Sequence, residues 1–331
     1  MRHPRDKGGG LWPRQRGLKI SDVSDSLRDT LEVASIEATP MNMIAPAFLA
    51  AGQQPFDETA RAAFAAAYPR GACLMRHSLA HHPLLSLDAL AEAASRLGPA
   101  NVLRKPGDAS LEAVRSLAEA PADIASLIRS IADANLWIGF KDLEQLPEYA
   151  EILGAVGASL EDLITPVTGP PRCLRAFIFI SSPRVRFPFH ADPEYNILAQ
   201  IAGRKRFAVF PPEPPFLTPA QNETYHRTGR NGLAWDDAWA SQGRIFDLGP
   251  GDALHHTFKA PHWVEVDDEP SISLSLTWCS DNSLEQNDAW SFNAWLRERG
   301  FDPRPPAPLP HGRSRLRANA WRAIRRLGLA G

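Results

Sequence analysis

Phe189-His190-Ala191-Asp192-Pro193-Glu194-Tyr195-Asn196-Ile197-Leu198-Ala199-Gln200-Ile201-Ala202-Gly203-Arg204-Lys205-Arg206-Phe207 is the stretch that decides the fold. Residues two apart on an extended strand share a face. If the segment is extended, His190 and Asp192 project together and only Ala191 faces away. An imidazole beside a carboxylate makes two corners of a metal site. A second His completes the two-His, one-carboxylate set that leaves positions open on non-haem Fe(II). His262, in Ala260-Pro261-His262-Trp263-Val264-Glu265-Val266, is the candidate third corner, with His255 and His256 as its rivals.

Outward from this stretch the texture is that of short strands. Cys173–Ile180, Asn196–Ile201, Arg206–Phe210, Arg244–Leu248, Ala253–Leu254 and His262–Val266 all read as extended. Ala202-Gly203-Arg204 is a turn, and Gly249-Pro250-Gly251-Asp252 ends another strand. Ser271–Trp278 alternates polar and apolar residues, the period of a half-buried strand. Several short strands with turn signals between them predict a small β-barrel or sandwich. Pro211–Arg230 reads as a long polar insert. Its wider surround, Pro214–Trp239, holds Tyr225, His226, Arg227, Arg230 and Trp235. Long connections in compact domains are often functional, so this one is expected to line a substrate entrance.

Before Gly169 the pattern is helical. Residues 1–33 read as a flexible arm. Asp57 is positioned to cap an Ala-rich helix that includes Phe64, and Ser86 to cap a second helix through Leu97. Ser110–Glu119, Ala122–Ala134 and Leu143–Ile164 are expected as helices, the last broken near Gly154–Gly157. Ala72–Met75, Asn101–Leu103 and Leu136–Phe140 are the interleaved strands. His77, His81 and His82 sit close together, but no acid or Cys completes a ligand set, and they read as loop histidines. At the other end, Asn287–Arg299 is a helix stopped by Gly300. A Pro-rich linker over Pro303–Pro310 then leads to a basic helix, Ser314–Leu327, with Leu316, Ala320, Ile324 and Leu327 on one face.

With 331 residues, 44% of them hydrophobic, the chain can bury the core of one large domain or two ordinary ones. A formal net charge of -2 gives no electrostatic case for nucleic acid. The 3 Cys are odd in number, far apart and without CxxC spacing, which excludes a zinc cluster or disulfide framework and suits a reducing compartment. No apolar run has the length of a signal peptide or a membrane span, so no membrane partner is expected and the location is read as cytoplasmic. The basic tail admits two readings, a nucleic-acid contact or a homodimer helix, and the second is preferred.

The His-x-Asp pair, the run Leu198-Ala199-Gln200-Ile201-x-Gly203-x-Lys205-Arg206-Phe207-x-x-Phe210-Pro211-Pro212, the Pro250-Gly251-Asp252 turn and the distal His262-x-Val264 resemble JmjC and cupin-like Fe(II)/2-oxoglutarate oxygenases. The likeness is to the small hydroxylase branch and covers about residues 173–278. It implies a mixed α and β protein, with a double-stranded β-helix (cupin, jelly-roll) core and helices packed outside. It also implies Fe(II) held by His190, Asp192 and His262, and Lys205 pairing with the far carboxylate of 2-oxoglutarate. Asn196 would contact that cosubstrate or orient the metal site, Thr277 would lie near the cosubstrate, and O2 would be the second co-reactant. His255 and His256 depart from the family's aromatic-Ile-Pro run, and Phe187 stands where a hydroxyl residue is usual.

The organisation that follows is a 1–33 arm, a helix-rich 34–168 region, a 169–282 barrel core and 283–331 as C-terminal helices with their linker. The expected activity is hydroxylation of an amino-acid side chain in a peptide or protein, or of a small molecule; demethylation is the variant when the attacked carbon is an N-methyl. The rival class is a non-catalytic cupin-like binding or regulatory protein.

Overall fold

Asp57 and Ser86 act as their side chains predict. Asp57 accepts from the Ala60 amide at 2.8 Å and opens α1 (Glu58–Ala67). Ser86 accepts from the Ala89 amide and opens α2 (Leu87–Arg96). The computed structural model of the protein describes residues 54–107, 109–116, 123–307 and 314–329. The expected arm at 1–33 lies outside them, as does part of the Pro-rich linker.

The front half contributes α1, α2, α3 (Ile124–Arg129) and α4 (Pro147–Thr168). Its strands are β1 (Cys73–Arg76), β2 (Val102–Pro106), β3 (Arg115–Ser116) and β4 (Leu136–Lys141). Two expectations fail here. Over the described part of the expected Ser110–Glu119 helix, one turn at Leu111–Ala113 leads into β3, which satisfies the open edge of β2; residues 117–119 lie outside the described residues. α4 runs unbroken through Gly154 and Gly157, because Tyr149, Ile152, Val156, Leu160 and Ile164 bury one continuous face. That burial outweighs about 1 kcal/mol of helix cost per glycine.

The barrel is built from β5 (Arg172–Ser181), β6 (Arg186–His190), β7 (Tyr195–Ala202), β8 (Lys205–Val209), β9 (Arg244–Leu248), β10 (Asp252–His256), β11 (His262–Val266) and β12 (Ser271–Cys279). These strands lie in two antiparallel sheets, ordered β1-β10-β7-β12-β5-β4-β2-β3 and β6-β11-β8-β9. This is the cupin double-stranded β-helix. Four strands of the front half extend its larger sheet: β1 pairs with β10 and β4 with β5. The polar insert contains a helix that the sequence reading does not give. Thr218 and Gln221 form a capping box that opens α5 (Pro219–Thr228).

Ser271–Cys279 is buried on both faces, not one. Ile272, Leu274, Leu276 and Trp278 join the large core under the helices. Ser271, Ser273 and Ser275 turn into the barrel, where they find partners instead of solvent. Gln200 donates to Ser271 Oγ at 2.9 Å, Ser273 donates to Gln200 Oε1 at 2.8 Å, and Asn196 donates to Ser275 Oγ at 2.9 Å. The barrel's apolar lining, with Leu198, Phe207, Val209, Leu254 and Val264, forms a second and smaller core.

Behind the barrel, Ser280 and Ser283 form a capping box that starts α6 (Asp281–Glu298) earlier than the sequence pattern suggests. α7 (Arg315–Arg326) lies along α6, with Arg322 paired to Asp288 at 2.6 Å and Arg315 near Glu285 at 3.5 Å. Of the expected apolar stripe, Ala320 and Ile324 are half-buried, while Leu316 and Leu327 are exposed. No helix among the described residues is long and apolar enough to cross a membrane.

Candidate metal centre

β6 and β11 are antiparallel neighbours whose register sets His190 opposite His262. The two imidazoles therefore lie side by side, with ring centroids 4.1 Å apart. β6 ends at His190, so Asp192 lies past the strand and not on it as expected. A strap at residues 231–233 pairs with this end: the Ala191 amide donates to Asn231 O at 3.1 Å and the Leu233 amide to Phe189 O at 2.9 Å. Asp192 Oδ2 comes to rest 3.7 Å from the Nε2 of both His190 and His262. One donor atom from each of the three residues falls within 4.8 Å of the others.

Each donor is held in the state a metal needs. A backbone carbonyl can only accept, so His190 Nδ1–H donates to Pro188 O at 2.7 Å and His262 Nδ1–H to Ala260 O at 2.9 Å. Both Nε2 lone pairs are then left facing the carboxylate. Burial, helped by the neighbouring His190 and His256, holds His262 well below the usual imidazole range and keeps it neutral. Asn231 Nδ2 donates to Asp192 Oδ1 at 2.8 Å, which orients the other carboxylate oxygen into the gap. Two imidazoles presenting Nε2 and one carboxylate oxygen, all preoriented, suit one divalent transition-metal ion.

Of the two rival histidines, His255 turns away from the gap. It stacks on Trp278 and packs edge-on to Phe64, in the core under the helices. His256 faces the barrel interior with its ring 4.6 Å from His262, yet it lies outside the three-residue donor set. His77 is buried and bonded to Gln200 O and the Leu79 amide, so the upstream His group is structural where it is not surface loop.

Lys205, Asn196 and Thr277 all face the barrel interior. Asn196 lies opposite Thr277 on β12 and opposite His256 on β10. Along this one rung Asn196 Oδ1, Thr277 Oγ1 and His256 Nε2 are buried with no hydrogen-bond partner in the protein. Buried polar atoms are rarely left so, and a cluster of three marks a place for a polar guest. Lys205 is 5% exposed, and burial alone pulls its ammonium down to about 7. It lies four residues along β8 from Val209, the partner of His262. Phe187 packs edge-on to Trp137 at 5.1 Å and carries the Lys105 ammonium over its face at 5.1 Å.

A family model described as a cupin-like domain matches residues 107–271. The chain carries a cupin-like domain. The match begins well before Gly169, where the sequence texture changes, and takes in β4 and α4. Among solved structures, YcfD of E. coli is similar at 16% identity over 81% of this chain and 67% of its own, with a TM-score of 0.47. YcfD, a ribosomal oxygenase from Escherichia coli, in complex with cobalt and 2-oxoglutarate, is similar at 15% identity over 80% of this chain and 65% of its own, TM-score 0.44. The DMSP lyase DddQ from Ruegeria pomeroyi DSS-3 is similar at 23% identity over 34% of this chain and 42% of its own, TM-score 0.22. The chain thus spans 42% of DddQ and about two thirds of YcfD. No curated protein matches the chain in sequence.

Two residues of the cupin-like domain's site have no sequence signal. Asn231 acts on Asp192 from 39 positions away, in a connection whose course no periodicity reveals. Lys259 sits in the short link between β10 and β11 with its ammonium buried against α5. Only its place next to the distal His run could have singled it out.

Proposed function

We propose that the chain is an Fe(II)- and 2-oxoglutarate-dependent oxygenase that hydroxylates a C–H bond of an amino-acid side chain or a small molecule. One observation carries the reading: both imidazoles donate Nδ1–H to backbone carbonyls and aim Nε2 at one oxygen of Asp192. That preorganisation is what a metal site asks of its ligands and supports the reading. His190, Asp192 and His262 would hold the metal. When bound, Fe(II) with O2 inserts one oxygen atom into the C–H bond, while 2-oxoglutarate takes the other and leaves as succinate and CO2.

The chain's own work is placement. Lys205 supplies a buried cation for the far carboxylate of the cosubstrate, and its lack of any carboxylate partner among the described residues supports that role. On the facing sheet Thr277 and His256 offer unused polar atoms, and Asn196 closes the rung between them. Lys205 takes up the charge of the guest, and the apolar lining of Phe207, Leu198 and Val264 excludes water from it. The three unpaired cysteines accord with a cytoplasmic site of action.

The test is metal content and succinate formation on one preparation. About one Fe(II) per chain and 2-oxoglutarate turnover are expected. Asp192→Ala should lose the anionic ligand and most of the iron. Full occupancy in that variant, or an iron-loaded protein that forms no succinate, would overturn the reading.

A further inference from the structure

Beside the triad lies a second feature, a recess with about 270 Å³ of empty space, counting the part open to solvent. Ala191, between the two proximal ligands, forms part of its wall, and so does Asn231, which holds Asp192. A group bound here sits next to the metal position. The polar lining is one-sided in charge: Lys259 and Arg230, with Tyr225, Gln221, Asn222 and Asn231, and no Asp or Glu.

Lys259 is the telling residue. It is 6% exposed, and its ammonium donates to Asn222 Oδ1 at 3.0 Å and to His226 Nε2 at 2.9 Å. The faces of Phe258 and Trp290 lie 5.3 and 5.5 Å away. All four neighbours are neutral. An ammonium has three protons, and two are used. Buried cations are ordinarily paired with an anion; without one, burial holds the Lys259 ammonium well below its usual range, and an arriving carboxylate would favour the charged form. Of the acids nearby, Asp192 faces the two triad histidines, and Glu194, Glu223 and Asp288 are engaged with Arg175, Arg297 and Arg322. Arg230, exposed beside the recess, has no ion pair among the described residues.

We propose that this recess binds a carboxylate of the prime substrate, with Lys259 at its base and Arg230 at its rim. The substrate class is then acidic: an Asp- or Glu-containing peptide, or a small carboxylic acid, whose reacting carbon lies toward the triad. Naming the ligand as substrate rests on the oxygenase reading, whereas carboxylate binding does not. The cosubstrate's far carboxylate has a separate partner in Lys205, inside the barrel.

The experiment uses the full chain loaded with Mn(II) and 2-oxoglutarate under argon, and two probes: N-acetyl-glutamate α-amide and its uncharged isostere N-acetyl-glutamine α-amide. Calorimetry gives affinity, and relaxation of the probe protons by Mn(II) gives proximity to the metal. The acid should bind at least about tenfold tighter than the amide, and its protons should be relaxed. Charge-assisted hydrogen bonds of this kind make a tenfold loss or more the expectation for Arg230→Gln and for Lys259→Met, with 2-oxoglutarate affinity unchanged. Arg230 is exposed, so its variant reads the recess even if Lys259→Met does not fold. Equal binding of acid and amide, or an acid indifferent to Arg230→Gln, would overturn the proposal. So would loss of 2-oxoglutarate binding in either variant, which would make the recess the cosubstrate's own. If Mn(II) does not bind at all, the oxygenase reading fails, and the acid–amide comparison on the metal-free protein still decides the recess.

Discussion

At the scale of single residues, the site depends on groups that only orient others. Asn231 fixes one oxygen of Asp192, so Asn231→Ala should weaken metal binding by about 10–100-fold while the fold survives. Metal titration followed by calorimetry measures it, and unchanged affinity would remove Asn231 from the site. Lys205 makes a sharper case. Burial lowers its ammonium to about 7, so at pH 8 it is mostly neutral in the free protein. A carboxylate arriving beside it favours the charged form and raises it again. Binding of 2-oxoglutarate should therefore take up close to one proton at pH 8, and affinity should fall as pH climbs above about 7. Calorimetry in buffers of different ionisation enthalpy reads that uptake directly. Lys205→Ala should keep the metal and lose at least a hundredfold in 2-oxoglutarate affinity, since stripping one partner from a buried pair costs about 3–5 kcal/mol. An unchanged half-saturation concentration would move the anchor elsewhere. His190, Asp192 and His262 can be named from the sequence because a His-x-Asp pair and a downstream His make up a donor set, yet Asp192 converges on them from past the end of β6 and not from the shared strand face that the two-residue spacing assumes. Asn231 and Lys259 cannot be so named, because their contacts depend on where two irregular links lie in space.

At the scale of elements, the turn between β7 and β8 is the joint that sets the register of the whole proximal run. Gly203 takes φ +66, and a Cβ there would drive into the backbone carbonyl of Pro270. A backbone carbonyl cannot step aside as a flexible side chain can. Gly203→Ala should therefore destabilise the protein by at least about 1–3 kcal/mol, the range for a non-glycine residue held at positive φ. Urea unfolding compares the two, and equal midpoints would show that the turn relaxes. The sequence marks this turn clearly, since Gly between two strand patterns has a single conformational meaning. It marks other elements less well. Alternation along Ser271–Trp278 shows that one face differs from the other, but not that the polar face meets Gln200 and Asn196 inside a barrel. Glycines in α4 suggest a break that a long buried face overrides. The Ser110–Glu119 segment has helical periodicity, yet an open edge on β2 captures its described part as strand. In each case the local signal is real and a partner distant in sequence decides how it is used.

At the scale of the whole molecule, the change of texture near Gly169 invites a division that the sheets do not respect. β4, from the front half, pairs along five positions of β5, and β1 pairs along four positions of β10, next to the strand that carries Asn196. The large core draws Phe64, Leu90 and Ile152 from the front half and Ile178, Ile197 and Trp278 from the barrel. Removing residues before Pro171 would leave β5 and β10 with open edges and the outer face of the sheet uncovered. An exposed edge beside an uncovered apolar face favours aggregation over independent folding. A fragment starting at Pro171 should therefore fail to give a soluble, cooperatively unfolding protein, and the full chain should unfold in a single transition by both near- and far-ultraviolet circular dichroism. A stable fragment from that point would show that the barrel stands alone. The same argument links the front half to the metal centre: the rung of Asn196, Thr277 and His256 belongs to the sheet that β1 and β4 extend. Changes that loosen β1 or β4 should thus lower affinity for the cosubstrate more than for the metal, whose ligands lie on and beside β6 and β11 of the other sheet. Paired titrations of metal and 2-oxoglutarate on a Met75→Ala variant would test this, because Met75 is buried on β1 in the large core under the helices and not in the barrel lining. Equal losses for the two would mean that the sheets respond as one body.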